Sequence, residues 1–311
     1  MNPITPGKDK LGFIGIGYMG RPIAQRLLQA GFQLTAYDRD SSKARELIQY
    51  GGAVAGSICE LSSGCDVLLT CLPNDEAVMS VFNGADDAFA SAQRGALFID
   101  MSTVYPETSR RLAQLGAKSG VDVLDVTMSG SIPVAEQGAL VLFGGGDRAR
   151  FDAAESIFRA IARKHFYVGP SGSGATMKLV VNSLLGIGMQ AIAEAVALGE
   201  KAGLDRNRLL DVLSQTAVVA PAHVGKLQRL MNNDYSPQFP LRLMNKDFGL
   251  ILKLAAAVGA QMPAARAALE VNAAQVTRGN EQDFSAVILQ MEKQAHSDSA
   301  DKKRTGIGAG Q

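Results

Sequence analysis

The chain has 311 residues, 47% of them hydrophobic and 20% charged, with 31 basic and 30 acidic side chains and a formal net charge of +1. That length suits two domains with ample core, and the even charge without a basic cluster argues against nucleic acid or an anionic membrane as partner. Three cysteines, Cys59, Cys65 and Cys71, are too few for a disulfide framework and fit no zinc spacing, and the three histidines are scattered, so no metal site is expected.

The opening MNPITPGKDK is polar and proline-bearing, unlike a secretory leader; residues 1–10 read as a flexible N-terminal segment of a cytoplasmic protein. Beyond it short apolar strands alternate with amphipathic helices. LGFIG is a strand and MGRPIAQRLLQAG a helix; QLTAYD is a strand and SSKARELIQYGG a helix with Ser41 or Ser42 as N-cap. DVLLTCLP, ALFIDMS and VDVLDV are further buried strands, with Cys71 expected in strand core. This alternation predicts a doubly wound, mostly parallel sheet over residues 11–170.

Between the first strand and first helix stand Gly15, Ile16, Gly17, Tyr18, Met19 and Gly20, a GxGxxG in the context that dinucleotide binding requires. Gly15 allows the tight turn, Gly17 lets a pyrophosphate approach the backbone, and Gly20 permits close helix–strand packing, the pattern of a Rossmann domain. The helix N-terminus turns free N–H groups and a positive dipole end toward the phosphates. Asp38 follows Gly20 by 18 residues and ends the second strand. Its carboxylate suits the ribose hydroxyls of NAD, whereas Arg39 suits the 2′-phosphate of NADP; the cofactor is NAD or NADP, with NAD favoured. Leu72, Pro73 and Asn74, just past a strand's carboxyl end, belong to the cofactor crevice by the switch-point rule. Ser129, Gly130 and Ser131 form a small-residue turn whose N–H groups suit a carboxylate, although an ordinary Gly-Ser loop reads the same way.

After FYVG the strands stop, and residues 171–296 read as an all-helical domain. It opens with a long helix from about Ser173 to Gly203, about 45 Å at 1.5 Å per residue, joining the two domains. Its apolar stretch has the length of a membrane span, but Asn182, Ser183, Gln190 and Glu194 interrupt it, so a buried helix of a soluble domain is expected. Apolar residues on more than one face call for burial against a second copy, as a homodimer or homotetramer. Residues 297–311, polar and then glycine-rich, read as a disordered tail. Lys178 and Asn182 are four apart and share a face of the long helix. An ammonium on an apolar helix needs a partner, and the bland reading is a snorkelling or paired lysine. In a cleft it can instead donate a proton to a carbonyl oxygen. Lys246-Asp247, at the start of a later helix, offers further charge.

GFIGIGYMGRPIA, LPN, IDMST, SGS..PVAEQGAL, GSGATMKLVVN and NKDFGL, in this order across nearly the whole chain, resemble the β-hydroxyacid dehydrogenase family, most nearly its glyoxylate/succinic semialdehyde reductase branch. The resemblance implies that Lys178 is the catalytic lysine and Asn182 a substrate-holding neighbour. It implies that Ser129 and Gly130 form the carboxylate turn, with Ser131 where most members have glycine. Thr103 and Lys246 match contacts near the nicotinamide, and Phe239 and Asp247 match the substrate pocket. Expected is an NAD(P)-dependent reductase of glyoxylate, succinic semialdehyde or tartronate semialdehyde, with a 3-hydroxyisobutyrate-type dehydrogenase or an imine reductase as alternatives. Imine reductases typically replace the lysine, and a non-catalytic dinucleotide-binding sensor or scaffold has no use for it.

Overall fold

A computed structural model describes residues 2–84, 86–279 and 281–304. The chain divides into two compact units, Met1–Leu179 and Val180–Gln311. The strand pattern ends near residue 170, yet the first turns of the long helix, Ser173–Lys201, belong with the sheet.

The first unit is built on eight strands: β1 Lys10–Ile14, β2 Gln33–Tyr37, β3 Ala53–Val54, β4 Val67–Thr70, β5 Leu97–Asp100, β6 Asp122–Ser129, β7 Leu140–Gly145 and β8 Ala162–Gly169. Their spatial order is β3-β2-β1-β4-β5-β6-β7-β8, parallel throughout except for the antiparallel β6–β7 pair. Short apolar runs such as VLLT and LFID are buried on both faces, as a helix-covered parallel sheet requires. Side chains alternate between two cores. Leu11, Phe13, Leu69 and Ile99 enter one, while Ile14, Leu68 and Phe98 enter the other, where the rings of Phe82, Phe89 and Phe98 pack 5.0–5.8 Å apart.

Four local expectations are corrected. The N-terminal segment is held down: Ile4 is buried, its N–H donates to Ala153 O at 2.9 Å, and its carbonyl accepts from Ser156 Oγ at 2.5 Å. The helix after β2 is capped by Asp40, whose carboxylate accepts from Ser42 N, because an Asp one residue earlier already stands at the N-cap position. Cys71 lies just beyond β4, where its N–H donates to Ile14 O at 2.9 Å. The final helix runs Val287–Arg304, so the expected tail is helical through its first eight residues; glycine, which disfavours a helix, begins only at 306. Residues 305–311 lie outside the described residues.

The second unit is helical. It comprises the remainder of the long helix and the helices Arg206–Ser214, Pro221–Met231, Leu241–Val258, Pro263–Gly279 and Val287–Arg304. The long helix is apolar and long enough to cross a membrane, yet half of its most apolar window is buried within the protein. Phe248 packs where a side chain at Gly186 would otherwise stand.

Each unit buries a carboxylate. In the second, Asp283 accepts from Lys226 Nζ at 2.7 Å and from the N–H groups of Gln238 and Phe239 at 3.0 and 3.1 Å. Burial pushes the Lys226 ammonium's pKa down, while Asp283 opposes that shift. In the first, Asp125 of β6 accepts from Gly172 N at 2.8 Å and Ala175 N at 2.9 Å, at the start of the long helix. Burial pushes the Asp125 carboxyl up from 3.8 to about 6, against the lowering effect of these two bonds.

Two outcomes are expected. Asp283→Ala leaves the Lys226 ammonium with Gln238 Oε1 but without its carboxylate, strands the N–H groups of Gln238, Phe239 and Ser285, and should cost about 3–5 kcal/mol in urea unfolding; a loss under about 1 kcal/mol would sink this account of the pair. For Asp125, a folded pKa above the unfolded one means that its contribution is fully present below pH 3.8 and lost as pH rises through about 6. The wild type should therefore lose about 3 kcal/mol relative to Asp125→Asn between those limits, and a pH-independent difference would contradict it.

Candidate active site

The order of the strands reverses between β1 and β4, and ligands of such sheets bind outside the strand ends at that point. Gly15 there has φ +96°, and a side chain on it would run into the carbonyl oxygen of Cys71. A side chain on Gly20 would collide with Gly15's carbonyl oxygen, while one on Gly17 would meet only open space. Two glycines thus close the turn and the third leaves the backbone approachable from outside. The following helix, Gly20–Gln29, has Met19 at its N-cap and no side-chain cap, leaving its dipole end available to phosphate. Tyr18 beside it is exposed, and Ile16 is buried in the sheet core. These features fit a dinucleotide pyrophosphate.

Asp38 is already engaged: Oδ2 accepts from Ile16 N at 2.8 Å and Oδ1 from Asp40 N at 2.9 Å. It ties the glycine turn to the end of β2. Asp38, Arg39 and Arg45 are the charged side chains lining a cavity of about 380 Å³, with Tyr37, Ser41 and Gly56 among the other residues.

After β4 and β5 come the two loops expected at the cofactor. Leu72 N donates to Ser102 Oγ at 2.9 Å, and that hydroxyl donates to Asp100 Oδ1 at 2.6 Å, joined by Thr70 Oγ1 at 2.8 Å. Asp100 is buried, and its other oxygen, Oδ2, has no hydrogen-bond partner among the described residues. Burial raises its pKa despite the Ser102 and Thr70 bonds. Pro73 is exposed, Thr103 half-buried, and Asn74 caps the helix Asp75–Phe82 through a 2.8 Å bond from Ala77 N. Asn74 therefore shapes the loop that follows β4. Burial pushes the thiols of Cys65 and Cys71 up to about 12.

Ser129 closes β6, Gly130 is exposed with φ +146°, and Ser131 is the N-cap of the short helix Ile132–Glu136. Two residues of β6 hold the long helix: Asp125 through Gly172 and Ala175, and Thr127, whose Oγ1 donates to Gly174 O at 2.7 Å. Lys178 follows one turn later and is half-buried.

In the second unit Asn182 Nδ2 donates to Asp247 Oδ2 at 2.6 Å, and both residues are 1% exposed. Lys246 Nζ lies 3.1 Å from Asp247 Oδ1. The Asn182 amide oxygen is buried without a hydrogen-bond partner among the described residues, so the pair retains an unsatisfied acceptor. Phe239 is held by its N–H bond to Asp283 and stands edge-on to Phe284 at 5.7 Å. The first unit thus gathers the glycine turn, Asp38, Arg39, the Leu72–Asn74 loop and Thr103 along adjacent strand ends, with Ser129–Ser131 at the end of β6; the second brings Asn182, Lys246 and Asp247 together. Among the described residues no cluster suits a metal ion. Sequence reasoning missed Asp100, Ser102, Asp125, Thr127 and Asp283. For Asp100, Asp125 and Thr127 the available signal was an acidic or hydroxyl side chain inside an apolar strand, as in LFID and LDVT.

Known proteins resemble this chain over most of its length. Residues 10–169 match the family described as the NAD binding domain of 6-phosphogluconate dehydrogenase, and residues 172–291 the one described as NAD-binding of NADP-dependent 3-hydroxyisobutyrate dehydrogenase. Glyoxylate/succinic semialdehyde reductase 1 of Arabidopsis thaliana is 35% identical over 280 residues, 90% of this chain and 97% of the relative. The 2-(hydroxymethyl)glutarate dehydrogenase of Eubacterium barkeri is 30% identical over 90% of this chain and 93% of its own. The structure of Mycobacterium tuberculosis 3-hydroxyisobutyrate dehydrogenase with L-serine superposes with a TM-score of 0.82 at 32% identity, covering 91% of this chain and 99% of that one. A nicotinamide-dinucleotide oxidoreductase is what these matches and the glycine turn have in common, and the chain belongs to the β-hydroxyacid dehydrogenase family.

Proposed function

We propose that this enzyme reduces a small carboxylate-bearing aldehyde or 2-oxo acid, such as glyoxylate, succinic semialdehyde or tartronate semialdehyde, to the hydroxy acid. The observation that carries the reading is Lys178, half-buried one turn beyond a helix start clamped to the sheet that also bears the glycine turn. The Arabidopsis relative's name supports the substrate class.

When bound, the nicotinamide supplies a hydride to the carbonyl carbon. Lys178 Nζ gives its proton to the carbonyl oxygen as the C=O bond becomes a hydroxyl, and is left neutral to be reprotonated from water. The Ser129–Ser131 turn receives the substrate carboxylate through backbone N–H groups and hydroxyls. Asn182, whose amide donates to Asp247, and Phe239 take roles toward the substrate by their likeness to the family's positions. Thr103 and, separately, Lys246 take roles toward the nicotinamide by their likeness to the family's positions.

The cofactor is NAD or NADP. Asp38 by its chain position supports NAD, since each of its oxygens accepts one backbone N–H bond and retains room for a ribose hydroxyl, while Arg39 and Arg45 in the same lining suit a 2′-phosphate. The enzyme works in the cytosol as a homodimer or homotetramer. An exposed apolar stripe of Val180, Leu184 and Leu198 along the long helix supports assembly.

Three outcomes follow. Lys178→Ala should lower kcat by about 1,000-fold, within the range of a lost general acid, with cofactor affinity retained; loss of cofactor binding would make the lysine structural. Oxidation of the alcohol should prefer a clearly higher pH than reduction, because one direction needs Lys178 neutral and the other protonated. Arg39→Ala should raise KM for NADPH by roughly 10-fold, the effect of about 1.4 kcal/mol, and leave KM for NADH nearly unchanged. Equal effects on both cofactors would refute the 2′-phosphate assignment.

A further inference from the structure

We propose that Asp125 and Thr127 are positioning residues that set the place of Lys178 relative to the Ser129 turn, so that β6 serves as the ruler between proton donor and substrate carboxylate. This rests on the reading of Lys178 as the proton donor.

Successive side chains of a strand alternate faces, so positions 125, 127 and 129 lie on one face of β6, about 13 Å from first to last at 3.3 Å per residue. The first two hold the long helix. The Asp125 carboxylate meets two helix-start N–H groups with separate oxygens, Oδ1 for Gly172 and Oδ2 for Ala175. The Thr127 hydroxyl donates to the carbonyl of Gly174. In an α-helix that carbonyl also accepts the N–H of the residue four further on, which is Lys178. Thr127 therefore grips the turn from which the lysine side chain departs.

The contact leaves no slack. A side chain on Gly174 would run into the Asp125 carbonyl oxygen, and at 2.6 Å would overlap that of Phe143; one on Gly145 would lie 2.7 Å from Asp125 Oδ1. Helix backbone thus sits directly on strand backbone, held by side chains that cannot lengthen or swing. A carboxylate is required because two N–H groups need two acceptors, and an amide offers one acceptor and a misplaced donor.

The charged surroundings of Asp125 are few. Asp100 is its register partner on β5 and raises its pKa. Near Gly172 lies Arg110, itself paired with Glu107 at 2.8 Å. Only the ionised carboxylate accepts both helix bonds, so turnover should fall as pH drops through about 6, independently of the substrate used.

The test uses the full-length protein and its variants Thr127→Val, Thr127→Ser, Asp125→Asn and Lys178→Ala. Measured are cofactor affinity by nicotinamide fluorescence, hydrogen exchange of the 172–178 amides without cofactor, and kcat and KM against pH. A displacement near 1 Å of a catalytic group lowers rates by up to about 100-fold. Thr127→Val should accordingly lower kcat by at least 10-fold, with cofactor affinity within about threefold of wild type and faster exchange at the helix start. Thr127→Ser should restore most of the rate. Asp125→Asn should lower kcat further and abolish the acid limb near pH 6. Wild-type kcat in Thr127→Val overturns the proposal even if Asp125→Asn fails to fold, and leaves the lysine's role standing when Lys178→Ala is inactive. An active Lys178→Ala protein overturns both readings.

Discussion

A carboxylate out of contact with water must be met by donors, or the fold that buries it does not hold. Asp125 meets this requirement with the backbone N–H groups of Gly172 and Ala175. Those groups are orphans by the geometry of an α-helix, whose first turn has no intrahelical acceptors. One interaction therefore settles two deficits, the buried charge of the strand and the unpaired amides of the helix. It also fixes where the long helix begins and in which rotational phase it leaves the sheet. At neutral pH the carboxylate is ionised, at the expense of stability that the protonated form would retain. The first unit accepts that loss at the point where its sheet passes into helix.

The cofactor face follows the same logic of shared acceptors. Asp38 joins the glycine turn to the end of β2, and Asp100 gathers Thr70 and Ser102, the latter holding Leu72. Each acidic side chain at a strand end ties neighbouring segments together. The loops of a doubly wound sheet are connected to their strands by only a residue or two, so such ties decide their shape. Asn74 belongs to the same set, shaping its loop by capping the helix that follows. Positional accuracy at the site thus arises from side chains already engaged in bonds that tie one segment to the next, which makes them good supports.

Much of this was legible in the sequence because it is local. The glycine triplet lies between a strand and a helix, β-α alternation is a pattern of period and length, and the long helix is continuous from Ser173. Lys178 stood out as an ammonium on an apolar surface. What escaped notice depends on partners remote in the chain: Asp125 meets Gly172 and Ala175 across 47 and 50 residues, Asp283 meets Lys226 across 57, and Ile4 meets Ser156 across 152. No periodicity encodes such pairs. The end of strand patterning near residue 170 likewise shows where secondary structure changes, whereas Leu179 marks where tertiary contacts change, because the helix start remains fastened to β6. The choice of Asp40 over Ser41 as helix cap is a competition between adjacent residues that are both able to cap.

The thiols of Cys65 and Cys71 carry a consequence of another kind. Cys71 follows β4 directly beneath the glycine turn, and both thiols are pushed by burial to about 12. A thiol reacts with peroxides and electrophiles as the thiolate, and at pH 7 about one in 100,000 of these is ionised. The dehydrogenase thus keeps these sulfurs, one of them in the residue whose carbonyl packs against the glycine turn, in a form that electrophiles and oxidants leave alone.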